Sequence, residues 1–341
     1  MRLPLLLGLV LVAATSAAPA KDLIAPSSES ALDQRIAFLQ QEAEYAPCDI
    51  KDRVCAVGKR TLMQSGLQLA GIYPNCTKAA AGELCEKNKQ SRLVAAEAAK
   101  NAMVVKSIAA YGGPVIFLGM YGRSEHPDPE KIAEYAKKTE HDLAASTCPD
   151  SEKVCAIGEL ALLVEVDQLI RNQFSACEAL TAGEHGSVEA EQACLKPIGE
   201  QMGWIDALSS KSLVRITNTF GWPDAVHWGP DTENNAWLLA QHADAHQAEQ
   251  VKFLSLLKKS FEQGLSPATD YAYLVDRHAT HTHKPQLYGT QGMCSGTGAA
   301  RVWTPNPIED EAQLEARRNA AGMEPFKSYK ETMDKVCGGK I

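Results

Sequence analysis

Between Gly221 and Gln291 the chain gathers the side chains best suited to chemistry. Imidazoles stand at His242 and His246, carboxylates at Asp244 and Asp276, and a guanidinium at Arg277. Hydroxyls and an amide follow at Tyr288, Thr290 and Gln291. His242 with Asp244 has the makings of a general base and its support. Residues two apart on a helix point in different directions, so the two would act through different neighbours. Arg277 offers a two-pronged donor to a carboxylate or phosphate group; the competing role is an ion pair with Asp244 or Asp167. Tyr288-Gly289-Thr290-Gln291 places polar groups at an expected strand end, beside a glycine that lets backbone approach. With one Gly and no Lys-Ser/Thr, it is not a phosphate loop. Nucleophilic catalysis has no signature: there is no GxSxG, and every cysteine is expected to be oxidised.

His242-Ala-Asp-Ala-His246 has the i, i+4 spacing of metal ligands on a helix, and His278, His281 and His283 follow downstream. A zinc site would take His242, His246 and one of these three. The residue after His242 is Ala rather than the Glu of a zinc protease, and a hydrogen-bonded pair or an exposed tract explains the same spacing. No metal and no cofactor is expected.

These groups need elements to hold them. Asp231 or Thr232 caps the start of an expected helix and Gly264 ends it, leaving roughly thirty residues, long for a globular protein. At 100° per residue, His242, His246 and Gln250 align with Leu239, Phe253 and Leu257. Asp244 aligns with Trp237, Ala248 and Val251, and only Gln241, Glu249, Lys252 and Lys259 form a solvated edge. The helix is therefore expected to be buried on most sides, with polar groups in its middle that need partners or a purpose. Ser266-Pro267 opens a short helix through DYAYLVDR. HATHTHKPQLYGTQ reads as strand, turn at His283-Lys284-Pro285, and strand, with ARVWT as a third. Pro307 opens a helix with Arg317 and Arg318 near its end and Gly322 beyond. A last helix carries Tyr329 to Cys337. The expected class is mainly α, a helical tandem repeat with a small antiparallel β element near the C-terminus.

The chain has 341 residues, a net charge of −8 and 45% hydrophobic residues, enough for a sizeable core. Residues 1–20 read as a signal peptide, with an apolar run from Leu3 to Val12 and an Ala18-Pro19-Ala20 cleavage site. Removing them makes Lys21 the first mature residue and takes away Arg2. No later stretch reaches membrane-spanning length, so neither a membrane nor, without basic blocks, nucleic acid is an expected partner. A small anionic or polar ligand is. Export as a soluble periplasmic or secreted protein follows.

Ten cysteines in an exported chain point to disulfides. Their spacing also reveals a repeat. Cys48-DIKDRV-Cys55-AVG matches Cys148-PDSEKV-Cys155-AIG one hundred residues later, and Cys76 and Cys85 match Cys177 and Cys194. Gly112-Gly113-Pro114 and Gly221-Trp222-Pro223 follow each fourth cysteine by the same interval. The two copies are bounded at about 45–146 and 147–264. The expected domains are 21–146, an N-terminal helix and a degenerate repeat, and 147–341, the second repeat with its C-terminal hairpin and helices. Four cysteines per copy allow three pairings; the favoured set is Cys48–Cys55, Cys76–Cys85, Cys148–Cys155 and Cys177–Cys194, with Cys294–Cys337 left by elimination. One continuous helix would hold Cys148 and Cys155 ~10 Å apart, too far to bridge, so Pro149 must place Cys148 in a preceding turn. The copies differ: the second has Asp167, Gln168 and Arg171 on one helix face, where the first has Leu67, Gln68 and Gly71. Chemistry belongs in the second copy.

FGWP, AWLLAQHAD, AYLVDR, QLYGTQ, PIED and ARRNAAGMEPFKSY, in that order, closely resemble the bacterial domain-of-unknown-function 6624 family. The resemblance covers about 160–335, DQLIR included. It implies functional positions at Asp167, Gln168, Arg171, His242, Asp244, Gln250, Asp276, Arg277, Tyr288, Thr290, Gln291 and Arg318, and no established activity. His246 is outside the pattern. The leading expectation is an exported hydrolase, with His242, Asp244, Asp276 and Arg277 as catalytic groups and the remaining positions binding ligand. The alternatives are a non-catalytic module for a small ligand and a buried polar network that serves the fold alone.

Overall fold

Apolar residues recurring every three to four positions make helices the dominant element. The computed structural model describes residues 29–72, 82–111, 129–174, 177, 188–295 and 301–337. Eleven α-helices fall within them: α1 (Glu29–Tyr45), α2 (Arg53–Ile72), α3 (Gly82–Tyr111), α4 (Pro129–Ala145), α5 (Lys153–Arg171), α6 (Val188–Phe220), α7 (Pro230–Gln241), α8 (Gln247–Glu262), α9 (Ala268–His281), α10 (Leu314–Ala320) and α11 (Phe326–Cys337). Strands β1 (Gly292–Ser295) and β2 (Val302–Pro305) pair antiparallel, with Cys294 opposite Trp303. The class is mainly α with a small antiparallel sheet, as expected. None of the described helices is long and apolar enough to cross a membrane. The expected signal segment, the Cys76–Cys85 pairing and Gly112-Gly113-Pro114 lie outside the described residues.

The described residues group into two compact units. One takes those within Leu23–Ile170 and Gln201–Pro267, the other those within Arg171–Glu200 and Ala268–Ile341. In the first, the hundred-residue offset is structural as well as sequential: α1 and α4 begin at Glu29 and Pro129, α2 and α5 at Arg53 and Lys153. Cys48 and Cys148 lie in the turns that precede α2 and α5. That is how Cys48–Cys55 and Cys148–Cys155 close with Cα separations of 5.8 and 5.6 Å. Asp52 receives Val54 N at 2.9 Å at the start of α2, and Thr147 N at 2.7 Å from the second copy. Arg53 Nη1 donates to Asp142 on α4 at 2.7 Å. Leu32, Leu39, Leu62, Leu69, Leu160 and Leu163 are among the fully buried side chains of this unit.

The other unit is built around Trp303, Tyr329 and Cys337, with Tyr273, Cys294 and Phe326 packed against them. Trp303 meets Tyr329 edge-on at 5.5 Å, and Cys294–Cys337 ties β1 to α11. Cys177–Cys194 also forms, at a Cα separation of 5.6 Å. Every favoured disulfide among the described residues is present.

Three elements differ from expectation. The single helix from 231 to 264 is two helices, α7 and α8, broken at 242–246. The break is stabilised by Gln250, whose Nε2 donates to the Ala240 carbonyl in the last turn of α7 at 3.3 Å and to Asp244 Oδ1 at 3.2 Å. The facing pattern drawn through the break fails with it: Gln241 is fully buried rather than solvated. At the N-terminus, Gly229 (φ 88°) is the cap and Pro230 the first helical residue, slightly ahead of Asp231. Downstream, α9 continues through His278 to His281, where a strand was expected. Thr282 Oγ1 donates back to the His278 carbonyl at 2.8 Å. Of the anticipated strands only the ARVWT one forms, and its partner is Gly292–Ser295. Finally, α10 starts at Leu314 after a single 3-10 turn (Glu311–Gln313), not at Pro307, because Gln286 N donates to the Pro307 carbonyl at 2.9 Å and Gln286 bridges to Ile308.

Candidate functional site

His242 owes its position to the helix break. As the residue capping α7 (φ −87°, ψ 1°), it donates its backbone N–H to Leu238 and leaves the helical path with its side chain buried. Its Nδ1 lies 2.9 Å from Oδ2 of Asp167 on α5. The contact has the distance of an ion pair, which holds when the imidazole is protonated, but lacks the alignment of a good hydrogen bond. Asp167 is 1% exposed, and Gln168 Nε2 donates to its Oδ2 at 2.8 Å. A second carboxylate, Asp206 of α6, completes the group: one ligating atom each of Asp167, Asp206 and His242 lie within 4.8 Å of one another. Asp206 is part-buried, while the other two are buried.

Asp206 was not foreseen. Its signal was present in the helical period of α6, where it shares a row with Ser209, Leu213 and Ile216, all three of them buried. A carboxylate on a buried row asks for a partner, but without the second helix the row alone does not single it out.

Asp244 and Gln250 sit in the same unit as His242. Asp244 accepts from Gln250 at 3.2 Å, a contact that stabilises the break. His246 caps α8 and is part-buried. The i, i+4 helical geometry proposed for His242 and His246 does not exist, since no helix spans both.

Arg171, Asp276, Arg277, Tyr288, Thr290, Gln291 and Arg318 belong to the other unit. There Asp276 is the organising acceptor. It is fully buried on α9, and its Oδ1 takes Leu287 N at 2.7 Å and Tyr288 N at 3.0 Å. Its Oδ2 takes Thr290 N and Thr290 Oγ1, each at 2.9 Å. Burial pushes the Asp276 carboxyl above the ordinary carboxylate value; the backbone donors pull the other way without cancelling it. Arg318 Nη1 donates to the Tyr288 carbonyl at 2.6 Å and Nε to Glu324 at 2.9 Å, while its guanidinium stands 5.0 Å from the Tyr329 ring. Burial lowers the Arg318 pKa. Gln291 Nε2 donates to Thr290 Oγ1 at 3.1 Å, Gln286 Oε1 accepts from Gln291 N at 2.8 Å, and the Tyr329 hydroxyl donates to the Thr290 carbonyl at 2.9 Å. Gly289 makes the turn at φ 70°, where a Cβ would come within 2.8 Å of Phe326. Thr290 and Gln286 thus tie the loop to Asp276 of α9 and to Asn306, and Gln291 closes onto both of them. Arg277 is buried near the end of α9, beside Asp276 in sequence, and Arg171 ends α5 part-exposed. His278, His281 and His283 fall in the last turn of α9 and just beyond it, all outside the core.

A sequence model described as a family of unknown function (DUF6624) matches residues 156–341, which takes in α5 to α11 with Asp167, Asp206 and His242. No curated protein and no solved structure matches the chain.

Proposed function

The chain belongs to the DUF6624 family, and on that premise we propose that it is an exported hydrolase whose reacting centre is His242, Asp167 and Asp206. The observation that carries the reading is the convergence within 4.8 Å of two carboxylates from α5 and α6 and an imidazole from the break after α7. In this reading His242 takes a proton from the attacking water. Asp167, 2.9 Å from Nδ1, fixes the ring and offsets the positive charge that forms on it. The hydroxide adds to the electrophilic centre, the bond to the leaving group breaks, and the proton held on His242 returns to that group. Asp206, the least enclosed of the three, is where a polar substrate first meets the group. The Asp276–Arg318 network is assigned to holding the QLYGTQ loop and not to turnover, since the Asp276 carboxylate already accepts four donors from that loop.

Four disulfides among the described residues suit an oxidising compartment, and the apolar N-terminal segment supplies a route to one. The test is a screen of the mature protein against chromogenic phosphate, carboxylic and glycosidic esters, repeated with His242→Gln. Turnover by the wild type that disappears in a folded His242→Gln protein is the expected result. Turnover that survives the substitution would remove His242 from the mechanism. Ligand-induced stabilisation without product would make the protein a binding module instead.

A further inference from the structure

We propose that Asp167, Asp206 and His242 hold a single first-row divalent cation, of the zinc or manganese class. This deepens the hydrolase reading and uses the same site, but it stands on its own geometry. Metal–donor bonds of about 2.0–2.2 Å set neighbouring donors about 3–4.4 Å apart. The three ligating atoms lie within 4.8 Å of one another, so side-chain shifts of a few tenths of an ångström at most bring them to that spacing. One imidazole nitrogen with carboxylate oxygens is the donor mixture that suits zinc and manganese; an all-oxygen set would favour calcium or magnesium. Three protein donors leave a coordination position for water, which is the arrangement of a catalytic rather than a structural site.

Two further observations point the same way. Asp167 accepts Gln168 Nε2 at 2.8 Å, the kind of outer contact that orients a ligating carboxylate. On α6, Ser209 and Ser210 stand three and four residues beyond Asp206, on its helix face. Both are buried, at 2% and 3% exposure, and both hydroxyl oxygens lack a hydrogen-bond partner. Buried hydroxyls seldom stay so, and a cation-bound water or substrate group beside Asp206 is what they would engage. The cation would lower the pKa of its bound water, and with it bound His242 would serve as ligand rather than as proton acceptor, the non-coordinating oxygen of Asp206 taking the proton instead.

The experiment uses tag-free mature protein stripped with a chelator. Equilibrium dialysis against Zn2+ and, separately, Mn2+ is followed by elemental analysis and thermal melting. The expected result is one ion retained per chain with a raised Tm. Asp206→Asn and His242→Gln should each weaken retention at least tenfold, and His246→Ala should leave it unchanged. Circular dichroism confirms that each variant is folded; Asp206→Asn, being part-exposed, is the variant least dependent on core packing. No stoichiometric ion in the wild type overturns the proposal, as does retention that is indifferent to both substitutions. The two readings separate cleanly: hydrolysis without a stoichiometric ion sinks the cation alone, whereas a stoichiometric ion without hydrolysis sinks the hydrolase alone.

Discussion

Gly58 and Gly158 meet where α2 crosses α5. A Cβ on Gly158 would lie 2.9 Å from the Gly58 amide nitrogen and 1.8 Å from the Val54 carbonyl oxygen, and a Cβ on Gly58 would lie 1.9 Å from the Val154 carbonyl oxygen. The contact is reciprocal, glycine of one copy against valine of the other, because the repeated Cys-Ala-Val/Ile-Gly segments face each other. Both obstacles are backbone and cannot swing aside. Gly58→Ala and Gly158→Ala should each destabilise the protein by about 2–3 kcal/mol or more, the cost of overpacking a fixed contact. Urea denaturation measures it; an alanine variant as stable as wild type would show that the helices can part at little cost.

The Asp167–His242 contact predicts a separation of activity from stability. Asp167→Asn keeps the side-chain volume but removes the charge that faces Nδ1. Turnover should fall about a hundredfold or more, the usual contribution of an oriented acid–base group. Undiminished kcat and kcat/KM would leave Asp167 without a catalytic part.

The opposite pattern is expected at Asp276. Asp276→Ala strands three backbone N–H groups and the Thr290 hydroxyl in a buried place. Each lost buried acceptor costs about 1–3 kcal/mol. A total loss of about 3 kcal/mol or more should appear in urea denaturation, whereas Asp206→Asn should cost less than about 1 kcal/mol. A stable but inactive Asp276→Ala variant would return Asp276 to the catalytic set.

Asp231 gives the stability a pH dependence. Burial raises its pKa from 3.8 to about 6, opposed by donation from Gln68 at 2.6 Å and Ser65 at 3.4 Å. A carboxyl whose folded value lies above its unfolded one binds its proton more tightly when folded. Its favourable contribution is therefore present in full below about pH 4 and is lost as pH rises through about 6. The residue retains some exposure, so the effect is on the order of 1–2 kcal/mol rather than the full-burial figure. Asp231→Asn should flatten this part of the stability profile between pH 4 and 7; an unchanged profile would mean that the carboxylate is better hydrated than its burial indicates.

Much of the fold was legible because its signals are local. Cysteine spacing and Pro149 announced the disulfides and the turn that each needs, and the hundred-residue offset announced α2 and α5. Gln68 stood out as the first copy's counterpart of Gln168. The structure shows what each does: Gln68 holds Asp231 of α7, while Gln168 holds Asp167. Leu67 occupies the place of Asp167 in the first copy, so the group around His242 has no equivalent there. The break at His242 was hidden because helical periodicity continues through it. What ends α7 is an amide six to ten residues away in sequence, Gln250, reaching back to Asp244 and Ala240.

The sequence by itself determined the helical class, the repeat and the family and favoured the four disulfides that the described residues form, all of which depend on residue type at fixed local spacing. Only the tertiary structure decided how the polar motifs divide. It made Asp276 the acceptor around which the QLYGTQ loop is gathered. It also carried His242 off its helix to meet Asp167 and a carboxylate, Asp206, that no motif marks. Those partners stand on two helices and at the end of a third, far apart in the chain, and no period along one helix encodes which rows will face each other once the helices pack.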